Sequence, residues 1–237
     1  MSVDFLTRRP IAHRGLHDGN VGVCENSLSA FRKAIDRDFA IELDVRLSAD
    51  GKAIVFHDDT LERLTGIEGL LIDQPAPDLG TIKLGRTSDT IPTLADTLEL
   101  VSGRVPVVIE MKPEGAGNGA LAKAVAADLA GYDGPAAAMS FDHDLLAAFR
   151  ETGSSVPLGL TAEGIGDPAL DRHYEALPLG VSFVSYHVKG LPNRFVSHVR
   201  DTLGMPVITW TVRTPEDVAA TQAHADQMTF EDFDPDR

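Results

Sequence analysis

The sequence has 237 residues, a length that suits one α/β domain with an ample core. Its 21 Lys and Arg residues against 36 Asp and Glu residues give a formal net charge of −15, which disfavours nucleic acid and stable association with an anionic membrane. With one cysteine, Cys24, and no apolar run long enough for a signal peptide or a membrane span, we expect a cytoplasmic protein without intramolecular disulfides.

Short strand-like runs recur along the chain, often with amphipathic or alanine-rich segments between them. In chain order the predicted strands are PIAHRG, AIELDVRL, VPVVIEMK, AAAMSF, VPLGLT, VSFVSYHV, MPVITWTV and DQMTF. The predicted helices are SLSAFRKAIDR, LADTLELVSG, GALAKAVAADLAG, DLLAAFRETG and TPEDVAATQAHA. Alternating strands and helices predict a parallel sheet, and eight such strands predict a TIM-like (β/α)8 barrel of the α/β class.

Two segments depart from this alternation. Residues 51–58 form a ninth strand-like run that is too close to the second strand for a crossover helix, so we expect an antiparallel β-hairpin extension. Residues 60–92 are rich in Gly and Pro and predict a small loop-rich insertion that caps one end of the barrel. We expect residues 1–237 to form a single domain that contains this insertion.

The hairpin brings ionisable residues together. Asp50-Gly51 is typical of two-residue hairpin turns, and a turn of this length would place Asp44 opposite His57. Facing residues share one side of a sheet, so His57 is expected beside Asp44, with Glu42 on the same side. The alternative interpretation is an ordinary amphipathic hairpin with its polar side in water.

Two other strands end in polar residues, at the edge of a barrel where catalytic groups lie. In VPVVIEMKP, Glu110 and Lys112 share one side of the strand. A structural Glu–Lys pair and a metal ligand beside an anion-binding lysine are both open interpretations. The first strand, PIAHRG, ends in His13 and Arg14.

Together these groups suit displacement at phosphorus. The three acids form an all-oxygen set suited to Mg²⁺ or Ca²⁺, and histidines have ordinary pKa values near neutrality that suit general acid–base roles. A metal ion with a neighbouring Arg14 or Lys112 would neutralise a phosphate while the histidines move protons. The acids are Glu42, Asp44 and Glu110, and the histidines are His13 and His57.

Motifs in order over nearly the whole chain carry a resemblance to a known family. They are AHRG (12–15), ENSLSAF (25–31), IELDVRLSADGKAIVFHDDTLERLTG (41–66), IPTL (91–94), IEMKP (109–113), SF (140–141) and WTV (210–212). On these motifs the sequence resembles the glycerophosphodiester phosphodiesterases, within the phospholipase-C-like barrel phosphodiesterases. The resemblance implies a TIM-like barrel that releases sn-glycerol 3-phosphate and an alcohol from a small-molecule glycerophosphodiester.

The resemblance also implies roles for individual residues. His13 and His57 would be the acid–base pair, Arg14 would bind the phosphate, and Lys112 would line the site. One divalent cation, Mg²⁺ or Ca²⁺, would be held by Glu42, Asp44 and Glu110. The chain departs from the family pattern at Cys24, where Pro is usual, and in residues 224–237, which read HADQMTFEDFDPDR where the family commonly has Gly-Val-Asp…Thr-Asp-x-Pro. The second departure puts substrate contacts near the last strand in doubt.

Three weaker candidates lie near these motifs. Asn26 is expected to fix the first loop beside the site, with capping of the next helix as the alternative. Trp210 is expected to form a wall of the glycerol or alcohol pocket, with a core position as the alternative. Asp58 either orients a site residue or belongs to a turn.

Two other functions are weighed against hydrolysis of soluble glycerophosphodiesters. One is lysophospholipase-D-like hydrolysis of lysophospholipids, although no basic amphipathic helix favours membrane docking. The other is a catalytically silent barrel that serves as a binding module, although such a barrel would tolerate loss of the acids and histidines that this chain has. The sequence leaves open the alcohol group, the choice between Mg²⁺ and Ca²⁺, and the oligomeric state.

Overall fold

A computed structural model describes residues 3–237, so residues 1 and 2 of the predicted 1–237 domain lie outside the described residues. Its strands are β1 (Ile11–Ala12), β2 (Ala40–Leu47), β3 (Ala53–Val55), β4 (Val107–Met111), β5 (Ala136–Ser140), β6 (Leu158–Ala162), β7 (Phe183–His187), β8 (Val207–Val212) and β9 (Gln227–Phe230). Its α-helices are α1 (Leu28–Asp36), α2 (Glu62–Thr65), α3 (Ala76–Leu79), α4 (Leu94–Val101), α5 (Asn118–Leu129), α6 (His143–Glu151), α7 (Asp167–Ala176), α8 (Arg194–Ser197) and α9 (Pro215–His224). Short 3₁₀ segments lie at Asp4–Thr7, Leu71–Asp73, Gly115–Gly117, Leu177–Leu179 and Val188–Gly190, and a π-helical turn at His198–Thr202 follows α8.

Parallel strands close into the predicted barrel. Their order is β1-β2-β4-β5-β6-β7-β8-β9, and the pairing of β9 with β1 completes the ring. Strand β3 pairs antiparallel with β2, outside the ring. The TIM-like barrel with a hairpin extension after the second strand is therefore confirmed.

Several of the helices, α1, α4, α6, α8 and α9, begin with side-chain caps. Ser27 Oγ accepts a hydrogen bond of 3.1 Å from the backbone N–H of Ala30 at the start of α1. Thr214 Oγ1 accepts one of 3.2 Å from the N–H of Asp217 at the start of α9. Such oxygens satisfy N–H groups that have no partner within the helix. Across residues 3–237, the structure contains no helix of the length and apolar character that a membrane crossing requires.

The predicted register of the hairpin is wrong by one residue. Val45 pairs with Val55 and Leu47 with Ala53, so Asp44 does not face His57. The turn is one residue longer than predicted: the N–H of Ser48 donates to the carbonyl of Lys52 at 3.0 Å, which leaves residues 49–51 as a three-residue loop. Gly51, at φ +77°, supplies the left-handed conformation that ends such a loop.

The barrel interior is apolar at one end and polar at the other. An apolar layer joins Leu6, Ile11, Ala40, Val108, Ala137, Met139, Phe183 and Ile208. Side chains two residues apart on a strand point to the same side, so Glu42 follows Ala40 into the barrel and Glu110 follows Val108. The polar side chains therefore lie above the apolar layer, toward the C-terminal ends of the strands.

Residues 60–92 contain α2 and α3 and pack around a second group of buried apolar side chains, called here the insertion cluster. Two isolated β-bridges, Thr60–Leu70 and Lys83–Thr90, tie this segment together. The insertion cluster also includes Cys24 from the loop after β1, so it joins the insertion to that loop. Its members are Cys24, Ile54, Phe56, Leu61, Leu64, Leu71, Ala76, Leu79, Leu84 and Ile91.

Candidate active site

Three buried carboxylates meet at the C-terminal end of the barrel. Glu42 and Asp44 lie on β2 and Glu110 lies on β4, where it pairs in register with Asp44. One oxygen from each lies within 4.8 Å of the others. Oxygen atoms at this spacing are compatible with a hard divalent cation such as Mg²⁺ or Ca²⁺.

Glu42 is the acid whose surroundings most clearly suit a bound cation. Burial, together with the charges of Asp44 and Glu110, raises the pKa of Glu42 well above its ordinary value. Its Oε1 is buried without a hydrogen-bond partner among residues 3–237. Because an unpaired buried acceptor costs about 1–3 kcal/mol, a bound cation would relieve this arrangement. The acidic cluster therefore fits a divalent metal ion.

Two positive side chains border the same acids. Lys112 Nζ lies 2.9 Å from Asp44 Oδ1 and donates a short hydrogen bond to Glu110. Arg14 Nε lies 3.1 Å from Asp44 Oδ2. Burial by itself would raise the pKa of Asp44, but the charges of Lys112 and Arg14 outweigh it and lower that pKa. Asp44 is therefore ionised at neutral pH.

The loop after β1 holds Arg14 and Asn26 against the acids. Both residues have φ +54°, an unusual left-handed conformation for side chains of this size. The N–H of Arg14 donates to Glu42 at 2.9 Å, and Asn26 Nδ2 donates to Asp44 at 2.9 Å. Ser27, and not Asn26, caps α1. The side chain of Asn26 instead contacts Asp44 in the site.

His13 lies between one acid of the buried cluster and another carboxylate. Its Nδ1 lies 2.6 Å from Glu231 Oε2, and its Nε2 lies 3.9 Å from Glu42. Arg213 Nη2 donates to Glu231 at 2.9 Å. Burial would raise the pKa of Glu231, but the hydrogen bond with His13 and the charge of Arg213 lower it to about 2. Glu231 is thus ionised beside His13 at neutral pH.

Sequence reasoning missed Glu231. It follows the last strand directly, at the polar end of the barrel, and that position was the available signal. The departure from the family pattern in residues 224–237 concealed it. The segment beyond is held by ion pairs, with Arg9 2.9 Å from Asp236 and Arg37 2.9 Å from Asp234.

His57 has a similar set of partners. Its Nδ1 lies 2.6 Å from Asp58 Oδ1, and Arg63 Nε donates to Asp58 Oδ2 at 2.6 Å. Burial lowers the pKa of His57, and the charge of Asp44 opposes that shift. Each histidine therefore has a carboxylate at Nδ1, and an arginine pairs with that carboxylate. Sequence reasoning missed Arg63, although Asp58 was considered as an orienting residue.

Trp210 lies on β8, three strands away from β2 around the ring, and is half-buried. Its Nε1 donates to the carbonyl of Ser185 at 3.2 Å. Its ring lies 5.4 Å from that of Phe141 and 4.8 Å from that of His187. These rings form an aromatic group in which Phe141 directly follows β5, His187 ends β7 and Trp210 lies two residues before the end of β8.

The sequence matches the model of the Glycerophosphoryl diester phosphodiesterase family over residues 13–232. The chain belongs to this family. A glycerophosphodiester phosphodiesterase of Caldanaerobacter subterraneus subsp. tengcongensis is 37% identical over 110 residues, a match that spans 43% of this chain and only 44% of that relative. Bacillus subtilis YqiK, an uncharacterized protein, is 27% identical over 94% of this chain and 93% of its own length.

Solved structures of this phosphodiesterase family share the fold. The glycerophosphodiester phosphodiesterase of Thermotoga maritima has a TM-score of 0.74 at 26% identity, over 94% of each chain. A phosphodiesterase of Oleispira antarctica, in complex with the product sn-glycerol-3-phosphate, has a TM-score of 0.82 at 24% identity over 95% of this chain and 93% of that chain. The resemblance of the sequence to the glycerophosphodiester phosphodiesterases is therefore confirmed.

The structure gives a physical account of the other departure from this family's pattern. Cys24 is fully buried in the insertion cluster, and its Sγ lies 3.4 Å from the carbonyl oxygen of Leu84. A small apolar side chain packs well in such a place. Cys24 therefore holds the first loop in place by packing against the insertion, where the family usually has the rigid ring of a proline.

Proposed function

We propose that this chain hydrolyses glycerophosphodiesters to sn-glycerol 3-phosphate and an alcohol with the help of one divalent cation. The observation that carries the proposal is that three buried acids, two histidines and two positively charged side chains lie together at the C-terminal end of one barrel. Family membership and the named relatives support it. The solved relative that contains sn-glycerol-3-phosphate supports the same product.

In this proposal Glu42, Asp44 and Glu110 hold Mg²⁺ or Ca²⁺. The bound cation would neutralise charge on the phosphate. Arg14 and Lys112 add positive charge at the same place, because both lie within about 3 Å of Asp44. An anionic substrate is thereby attracted locally, although the chain as a whole carries −15.

His13 and His57 would transfer the protons. In each ring Nδ1 is occupied by a carboxylate, which leaves Nε2 as the atom that can exchange a proton with the substrate. One ring would remove the proton of the glycerol hydroxyl that attacks phosphorus, and the other would protonate the departing alcohol oxygen. Water would then open the resulting cyclic phosphate to give glycerol 3-phosphate. Burial lowers the pKa of both histidines, which favours the neutral form that the proton-accepting ring needs. The proton-donating ring needs a proton on Nε2, and the carboxylate at its Nδ1 favours that charged form.

Trp210 would form a wall of the pocket for the glycerol or alcohol carbons, together with Phe141. The indole N–H already has a partner in Ser185, so the ring offers a mainly apolar surface. Asn26 would keep the first loop in place through its hydrogen bond with Asp44. These roles leave the metal ion, Arg14 and Lys112 to bind the phosphate.

Lysophospholipids are the second candidate substrates, and one observation favours them. Large apolar side chains are exposed in the insertion and on loops that follow β1, β5 and β6, and the loops after these parallel strands lie at the C-terminal end of the barrel. They are Val21, Ile67, Leu70, Phe141 and Ile165. An acyl chain bound near the phosphate site could contact such residues. A silent binding module has less support, because all five predicted acids and histidines lie in the site.

A substrate panel tests the proposal. Glycerophosphodiesters and lysophospholipids are incubated with Mg²⁺, Ca²⁺ or EDTA, and glycerol 3-phosphate and lysophosphatidic acid are both measured. We expect metal-dependent release of glycerol 3-phosphate. Release of lysophosphatidic acid alone would favour the second candidate, and full activity in EDTA would contradict the role of the metal ion.

Variants of the histidines test proton transfer separately. His13→Ala and His57→Ala should each abolish turnover but still bind the metal ion, because neither ring belongs to the proposed ligand set. Metal binding is read from the shift in melting temperature that the ion produces. Near-normal hydrolysis by either variant would refute the assigned roles.

We also propose that residues 1–237 form a single domain with the insertion at about 60–92. The insertion cluster shares Cys24, Ile54 and Phe56 with the loop after β1 and with the hairpin, which supports one folding unit. The cytoplasmic location and the predicted lack of nucleic-acid and stable membrane partners stay predictions. Limited proteolysis that releases a stable fragment would contradict a single domain.

A further inference from the structure

One arginine of the insertion contacts carboxylates from two different loops. Arg63 on α2 donates to both oxygens of Asp58, from Nε at 2.6 Å and from Nη2 at 3.0 Å. It also donates to both oxygens of Glu25, from Nη1 at 2.9 Å and from Nη2 at 2.8 Å. A planar guanidinium can serve two carboxylates in this way, whereas a lysine ammonium cannot reproduce the geometry.

Each of these carboxylates holds a residue of the candidate active site. Asp58 Oδ1 lies 2.6 Å from His57 Nδ1, and Glu25 Oε1 accepts a hydrogen bond of 2.7 Å from Arg14 Nη1. Arg63 therefore contacts the proposed proton-transfer group, His57, through one intervening side chain, Asp58. It contacts the proposed phosphate-binding group, Arg14, through another, Glu25. Arg63 is a shared hydrogen-bond partner of the loop after β1, through Glu25, and of the loop after β3, through Asp58.

The backbone of Arg63 is fixed by its neighbours. Leu61 and Leu64 are buried in the insertion cluster, with 1% and 5% of their surfaces exposed. Cys24, next to Glu25, is buried in the same cluster. The cluster therefore fixes both the arginine and one of the carboxylates that it binds, while the side chain of Arg63 remains 44% exposed.

We propose that Arg63 is a positioning residue, which orients His57 through Asp58 and Arg14 through Glu25. The inference rests on the proposed hydrolysis and gives the insertion a part in it. Without Arg63, Asp58 would keep, among the described residues, only its contact with His57, so nothing would fix the carboxylate that orients the ring. Glu25 would keep its hydrogen bonds with Arg14 and with Asn20 Nδ2, the latter 2.8 Å long. We therefore expect a larger effect on kcat than on KM.

The first measurement compares single variants. Arg63→Met should lower kcat about 10- to 100-fold, the usual cost of removing an outer partner of a site, with a smaller rise in KM. Arg63→Lys should lower kcat less, because it keeps the charge but not the paired hydrogen bonds. The matched control is Arg86→Met, which changes an exposed arginine of the same insertion and should stay within twofold of wild type.

A double-mutant cycle separates positioning from a general loss of structure. If Arg63 acts through Asp58, the Arg63→Met, Asp58→Asn double variant should have a kcat within about threefold of the worse single variant. If thermal melts show no cooperative unfolding transition for Arg63→Met, Arg63→Lys takes its place in the cycle. Losses that multiply, or a kcat of the folded Arg63 variants within twofold of wild type, would overturn the inference. A wild-type chain that releases no glycerol 3-phosphate would instead overturn the proposed function, and the inference with it.

Discussion

Glu231→Gln is the most informative test of the carboxylate that contacts His13. The change keeps the size of the side chain and an acceptor oxygen, but it removes the negative charge 2.6 Å from His13 Nδ1. The carboxylate has a pKa of about 2, so the wild-type protein carries this charge throughout any practical assay range. The variant therefore isolates the electrostatic part of the contact.

The size of the effect follows from the type of hydrogen bond. A hydrogen bond to a charged group contributes about 1.5–3 kcal/mol, and the side chain of Glu231 is only 15% exposed, so solvent screening is limited. At about 1.36 kcal/mol for each factor of ten, kcat should fall about 10- to 100-fold. KM should change little, because Glu231 contacts His13 and Arg213, and neither Arg14 nor Lys112, which are proposed to bind the phosphate.

The assay is release of glycerol 3-phosphate at saturating Mg²⁺ or Ca²⁺. Asp232→Asn is the matched control, since this neighbouring acid is 54% exposed and lies 3.7 Å from the same Arg213. It should keep at least half of the wild-type kcat. A kcat for Glu231→Gln within twofold of wild type, or an equal loss in Asp232→Asn, would refute the reasoning.

Three further predictions concern the metal ion, the acid stability and the aromatic wall. A cation at about 100 times its Kd should raise the melting temperature of the wild-type protein by about 5–10 °C, and Glu42→Gln should abolish that rise in the same thermal melts. The folded-state pKa of Glu231 is depressed to about 2 from 4.5, so its contribution to the free energy of unfolding is present above pH 4.5 and is lost as the pH falls toward 2. Urea unfolding should therefore show a smaller loss between pH 5 and pH 2 in Glu231→Gln than in wild type, by up to about 3 kcal/mol, and equal losses would contradict the ionised pair. Trp210→Ala should raise KM about tenfold at a nearly unchanged kcat, as expected for a lost contact of about 1.4 kcal/mol, and an unchanged KM would place Trp210 outside the pocket.

The sequence predicts the barrel well because its strands are short, regularly spaced and separated by helical patterns. It also predicts which strand ends meet, because the C-terminal ends of parallel strands in a closed barrel lie on one side. Glu42, Asp44 and Glu110 are found together for that reason. Glu231 and Arg63 are found only in the structure, because the contacts of a long side chain depend on the path of a loop, and neither periodicity nor turn signals define that path.

His57 shows why an error in strand register did not displace the site. A slip of one residue exchanges the two sides of a strand, and in the observed register Phe56 faces Asp44 and packs in the insertion cluster. Strand β3, however, ends at Val55, so His57 lies beyond the region that the register controls. Its carbonyl accepts a hydrogen bond of 2.7 Å from Arg46 Nε, and its ring is held by Asp58. Local contacts therefore place this histidine, and loss of the partners of Asp58 should disturb it more than changes within the hairpin turn.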